Sequence, residues 1–127
     1  MADILVIDDD DDLRDTLRAI LERAGYTVHA ARNGREGFAC CQAQPVALVI
    51  TDLLMPDQEG IETIRQLRAL DPAPTIIAMS GGGLFRGQDL LHIATVLGAE
   101  HTLHKPIRAR ELLTAVQRLL GGPLSAS

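Results

Sequence analysis

A doubly wound α/β fold, in which a parallel sheet is covered by helices on both faces, is predicted for this 127-residue chain by three observations. Short apolar runs alternate five times with segments of helical period. The runs are apolar almost throughout, not every second residue, which is the pattern of strands buried on both faces. Glycines and prolines punctuate the joints between the two kinds of segment.

The elements follow in order. Ile4-Leu5-Val6-Ile7 reads as the first strand. Leu13, Leu17, Ile20, Leu21 and Ala24 form the stripe of an amphipathic helix, and Gly25 stops it. Residues 26–31 read as a second strand and Asn33-Gly34 as a turn. A weaker helix over 35–44 ends at Pro45, and 46–51 is a third strand around Ala47-Leu48-Val49-Ile50. The helix over 59–70 turns Ile61, Ile64 and Leu67 inward, and Asp71-Pro72-Ala73-Pro74 breaks it. A fourth strand covers 75–79, Ser80 to Gly83 is a loop, and a fourth helix over 88–97 stops at Gly98. Residues 101–104 form a short fifth strand. The last helix, 108–120, carries Leu112, Leu113, Val116, Leu119 and Leu120 on its inner stripe.

Strands alternating with helices argue for a parallel sheet. Right-handed crossovers narrow the topology to a flavodoxin-like (βα)5 doubly wound sheet with strand order 2-1-3-4-5. A single domain over residues 1–122 is expected, with 123–127 a short flexible tail.

Composition narrows the function classes. Hydrophobic residues are 46% and charged residues 23%, ordinary for a globular protein. No apolar run approaches the roughly 18 residues that span a bilayer, and Met1-Ala2-Asp3 lacks the basic start of a secretory signal. A cytoplasmic location without a membrane partner is expected. Five consecutive aspartates, Asp8 to Asp12, account for the whole formal net charge of −5. The acidity is therefore one local feature. It attracts a cation, and the chain lacks the basic footprint of a nucleic-acid binder. Asp8 and Asp9 are expected to serve a site, while one of Asp10 to Asp12 caps the following helix. Cys40 and Cys41 are adjacent and have no partner at metal-ligand spacing, so both read as helix residues, at least one packed inward. His101 and His104, three apart on a strand, point to opposite faces; with His29 and His92 they read as dispersed surface or supporting residues.

In open α/β sheets, sites lie at the carboxyl ends of the strands, where the strand order reverses. The first strand ends in Asp8-Asp9, the third in Asp52, the fourth in Ser80 and the fifth in Lys105-Pro106. Carboxylates converging on one point repel each other, and a divalent cation removes the conflict. Oxygen-only ligands select a hard ion, and few protein ligands suit Mg²⁺ better than Ca²⁺. A carboxylate, a metal, a hydroxyl and a lysine make a phosphoryl-transfer set. The carboxylate attacks phosphorus in line, the cations neutralise the equatorial oxygens, and the hydroxyl donates a hydrogen bond to one of them.

These segments resemble response-regulator receiver domains of the chemotaxis-regulator type. The resemblance is carried by Ile4-Leu5-Val6-Ile7-Asp8-Asp9, by Asp52-Leu53-Leu54-Met55-Pro56 with Gly60, by Ile77-Ala78-Met79-Ser80-Gly81, by Leu97-Gly98-Ala99 and by Lys105-Pro106, and it covers about residues 3–120. It implies that Asp52 is the phosphoacceptor. It implies that Asp8 and Asp9 hold Mg²⁺ (or Mn²⁺) together with Asp52 and the backbone carbonyl of Leu54. Lys105 would contact the phosphoryl group, Ser80 would move toward it, and the Lys105–Pro106 bond would be cis. The chain departs from the family at Thr102, where an aromatic switch residue is usual. Leu54 and Gly82 occupy positions that influence phosphoryl lifetime. The loop after Ser80, with three glycines and then Leu84-Phe85, is also unusual; it reads either as a partner contact or as a cover for the fourth helix.

The expected function is that of a phosphoacceptor signalling protein in a two-component, His-Asp phosphorelay system. It would catalyse only its own phosphorylation and dephosphorylation. A sensor histidine kinase or histidine phosphotransfer protein would donate. A downstream protein would read the face made by the fourth helix, fifth strand and fifth helix. Two alternatives stand beside it. One is a phosphorylation-independent scaffold, to which Thr102 gives weight. The other is an aspartate-nucleophile phosphatase, suggested by Asp8-x-Asp10 but opposed by Asp12 and by the contexts of Asp52 and Lys105.

Overall fold

The structure, a computed structural model, describes residues 3–53, 59–81, 92 and 94–121. The order is β1 (Asp3–Ile7), α1 (Asp11–Arg23), β2 (Thr27–Ala31), α2 (Gly34–Ala43), β3 (Leu48–Asp52), α3 (Glu59–Arg68) and β4 (Thr75–Ser80). A helix α4, described over 94–97, precedes β5 (His101–His104) and α5 (Ala109–Leu120). The strands form one parallel sheet in the order β2-β1-β3-β4-β5. The reversal of order falls between β1 and β3, as the alternation of elements predicts.

Strand alternation divides the apolar residues between two cores. Ile4 and Val6 of β1 join Leu48, Ile50, Ile77 and Met79 on one face, against Leu17 and Leu21 of α1 and Leu112 and Val116 of α5. Leu5 and Ile7 join Val49, Ile76 and Ala78 on the other, against Ile64 and Leu67 of α3 and Ala94 of α4. The strands read as unbroken apolar runs because both faces are covered. Full burial of each such side chain stabilises the fold by about 1.5–3 kcal/mol.

The element ends differ from the sequence reading in physically instructive ways. α1 begins at Asp11 because the Asp10 carboxylate accepts the Asp12 and Leu13 N–H groups, leaving Asp11 and Asp12 in the first turn. It closes through Gly25, with φ of 103°: Tyr26 N–H returns to the Leu21 carbonyl and Gly25 N–H to that of Glu22. Tyr26 is thereby held out of β2. Asn33 is a helix cap, not half of a turn, since its side chain accepts the Glu36 N–H at 2.9 Å while Glu36 accepts the Arg32 N–H at 2.9 Å. The peptides Asp71–Pro72 and Lys105–Pro106 are cis.

Gly34, the first residue of α2, packs directly on α3. A Cβ there would lie 1.9 Å from the Thr63 hydroxyl, and Thr63 is buried. Gly34→Ala should therefore lower stability by about 1–3 kcal/mol, the range of overpacking in a tight core. Urea unfolding, compared with the same change at Gly25, where a Cβ meets nothing but φ is positive, separates steric clash from backbone strain.

The expected tail at 123–127 lies outside the described residues. So do the Leu54 carbonyl and the stretch from Gly82 through Leu84-Phe85. Among the described residues no helix is long and apolar enough to cross a membrane.

Candidate functional site

Four strand ends meet at the carboxyl edge of the sheet. Register aligns Ile7 with Thr51, which brings Asp8, just beyond β1, beside Asp52 at the end of β3. The Asp8 N–H bonds to the Ala31 carbonyl and the Leu53 N–H to that of Met79, so both strand ends are tied to neighbours on either side. Asp8 and Asp52 are buried, whereas Asp9 is exposed. A ligand oxygen from each of the three lies within 4.8 Å of the others. The set is oxygen-only, anionic and compact, which fits a hard divalent cation.

Lys105 follows β5 and reaches into this group. Its ammonium donates to Asp52 Oδ2 at 3.1 Å and to Asp8 Oδ2 at 3.2 Å. Burial acts to lower its pKa, but the charges and hydrogen bonds of Asp52 and Asp8 outweigh this and hold it above the ordinary lysine value. The Lys105 ammonium thus bridges two buried carboxylates. Asp8 is held further by the Asp10 N–H, 2.9 Å from its Oδ1, and by Arg14 Nη1, which donates to its carbonyl oxygen at 2.7 Å.

Ser80 ends β4 beside His104, and its carbonyl accepts the Lys105 N–H at 2.8 Å. Its hydroxyl is fully buried and, among the described residues, has no hydrogen-bond partner. An unmade hydrogen bond in a buried hydroxyl costs about 1–3 kcal/mol. Thr102 pairs in register with Ala78, one step back along the same face as Ser80, and is half-buried. The cis bond between Lys105 and Pro106 lies directly after the lysine.

The structure thus gathers Asp8, Asp9, Asp52 and Lys105 and sets Ser80 at their border. It leaves Leu54 outside the described residues. Two of the histidines have partners elsewhere: His101 meets Arg118 at 2.9 Å and His29 meets Asp3 at 3.0 Å. Cys40 and Cys41 pack against the second core, where burial, with the neighbouring Cys40, pushes the Cys41 thiol up to about 11. A cleft of about 640 Å³ lies away from the strand carboxyl ends, lined by Cys41, Gln44, Leu70 and Pro72, and carries none of the converging charges. The residue that sequence reasoning missed is Arg14. Its place six residues after Asp8 was visible, but the direction of a main-chain carbonyl is not.

Residues 4–117 match the family model of the response regulator receiver domain. The chain belongs to the response regulator receiver family. Among curated receiver-containing relatives, the response regulator receiver protein CpdR of Brucella abortus is 32% identical over 94% of this chain and 98% of its own length. The transcriptional regulatory protein CpxR homolog of Haemophilus influenzae is 32% identical over the whole of this chain, which spans only 54% of that protein. Among solved structures, a CheY-like receiver domain from Methanospirillum hungatei superposes with a TM-score of 0.86 at 29% identity, covering 95% of this chain and 94% of that one. The chemotaxis response regulator CheY4 of Vibrio cholerae gives 0.83 at 28%, covering 94% and 98%. The receiver fold and its CheY-like topology are those described above, and a receiver domain is a signalling switch.

Proposed function

We propose that this receiver accepts a phosphoryl group on Asp52, with Mg²⁺ or Mn²⁺ held by Asp8, Asp9, Asp52 and the Leu54 carbonyl. The observation that carries the reading is the shared ammonium of Lys105 between two buried carboxylates at the sheet's switch point. Three carboxylates, those of Asp8, Asp9 and Asp52, converge there, and the oxygen-only set fits a divalent cation. When bound, that cation supplies the charge that neutralises phosphoryl oxygens at the site.

The chain's own residues supply the rest. An Asp52 carboxylate oxygen forms the new O–P bond as the bond from phosphorus to the donor breaks, and the departing group takes the electron pair. The donor is a phosphorylated histidine on a sensor kinase or phosphotransfer protein, whose imidazole leaves. Lys105 is already aimed at Asp52, so its ammonium contacts the incoming phosphoryl oxygens without reorganisation. The Ser80 hydroxyl, buried without a partner among the described residues, gains an acceptor in one of those oxygens. That gain favours one of two loop states, and a downstream protein reads the change on the face of α4, β5 and α5. The domain spans residues 1–122, works in the cytoplasm, and turns over no substrate besides its own phosphoryl group.

Intact mass spectrometry after incubation with acetyl phosphate tests this. One phosphoryl group is gained in Mg²⁺ and none in EDTA. Equal gain in both would remove the metal from the account. A second reading, partner binding without phosphorylation, is favoured by one observation: the half-buried switch position on β5 is Thr102, which has no ring to swing. It predicts that Asp52→Asn leaves partner affinity unchanged.

A further inference from the structure

Arg14 lies in the first turns of α1, and its guanidinium reaches back over the end of β1. Nη1 donates to the Asp8 carbonyl oxygen at 2.7 Å, while Nη2 pairs with the Asp11 carboxylate. The side chain is only 12% exposed. Each oxygen of Asp8 therefore has its own donor: Arg14 on the carbonyl, the Asp10 N–H on Oδ1, and Lys105 on Oδ2. The Arg14 bond is the one that grips the peptide joining Asp8 to Asp9.

We propose that Arg14 is a positioning residue for cation binding: by clamping the Asp8 carbonyl it sets the angle at which the Asp8 and Asp9 carboxylates leave the main chain. This rests on the reading of those two aspartates as metal ligands. Two effects of Arg14 oppose each other. Its positive charge would repel a cation held by Asp8 and Asp9. Its planar fork, tied to Asp8 and Asp11 at once, holds the ligands in place before the cation arrives. The Asp11 carboxylate paired with Nη2 already offsets the charge, so loss of the fork outweighs relief of the repulsion.

The two effects predict opposite signs. Arg14→Lys keeps the charge and the aliphatic stem but not the two-pronged hold. Arg14→Gln removes the charge. If the fork dominates, both variants weaken Mg²⁺ binding, by about tenfold, the lower end of the loss seen when a group orienting a ligand is removed. At saturating Mg²⁺ both take up the phosphoryl group from acetyl phosphate within about twofold of wild type, because Arg14 touches neither phosphorus nor Asp52. Isothermal titration with MgCl₂, with far-ultraviolet circular dichroism to show that each variant is folded, gives the affinities. Binding by Arg14→Gln that is tighter than wild type, or unchanged binding in both variants, overturns the inference while leaving the metal reading intact. A folded wild type that takes up no Mg²⁺ overturns the metal reading itself.

Discussion

Replacing Lys105 with methionine slows phosphoryl uptake at saturating Mg²⁺ by about 10²–10³-fold, the usual loss when one preorganised electrostatic donor is removed. Methionine keeps most of the stem and removes only the ammonium. The same variant, without metal, is less stable than wild type by about 2 kcal/mol. Breaking a buried ion pair by deleting one partner typically costs about 3–5 kcal/mol. The figure is reduced here because the lysine side chain is 23% exposed and so partly solvated. The pH dependence has a definite sign. The folded pKa of Lys105 is raised, so its contribution is fully present below the ordinary lysine pKa of about 10.4 and is lost as pH rises through the folded value. Urea unfolding in EDTA at neutral pH and again near the alkaline limit should show the gap between wild type and Lys105→Met closing. A gap that widens with pH would mean that the ammonium is not what steadies the two carboxylates.

Asp52→Asn should have the opposite effect on the metal-free protein, raising its stability by about 1–2 kcal/mol. The carboxylates of Asp8, Asp9 and Asp52 lie within 4.8 Å of one another, and asparagine keeps the shape while removing one of three mutually repelling charges. Mg²⁺ then reverses the ranking. At a hundredfold excess over its dissociation constant, a ligand stabilises the state that binds it by about 2.7 kcal/mol. Wild type gains this, and the variant, short of one anionic ligand, gains much less. Thermal unfolding with EDTA and with Mg²⁺ reads both signs in one experiment. A variant that gains as much from Mg²⁺ as wild type would place the cation elsewhere.

What was legible in the sequence is what burial and periodicity encode. Ile4 to Ile7 reads as a strand because both of its faces meet helices, and the stripe from Leu13 to Ala24 reads as a helix because one face does. The meeting of Asp8, Asp52, Ser80 and Lys105 was also legible, since parallel strands of known order put their carboxyl ends at one edge. The ends of elements were harder. Asn33 looks like turn chemistry until its side chain is seen to accept the Glu36 N–H, which makes it a cap. The unequal burial of Asp8 and Asp9, the buried Thr63 against Gly34, and the grip of Arg14 on a carbonyl depend on where side chains and peptides point in three dimensions. Residue type and spacing carry no such information.

Asp52, and neither Asp8 nor Asp9, is the carboxylate expected to take the phosphoryl group. An acyl phosphate formed with acetyl phosphate and Mg²⁺ can be reduced with borohydride, which converts the modified aspartate to homoserine, and the residue can then be located by peptide mass spectrometry. The conversion is predicted at Asp52 alone, with none anywhere in Asp52→Asn. Homoserine at Asp8 or Asp9, or a phosphoryl group retained by the Asp52→Asn protein, would contradict the assignment.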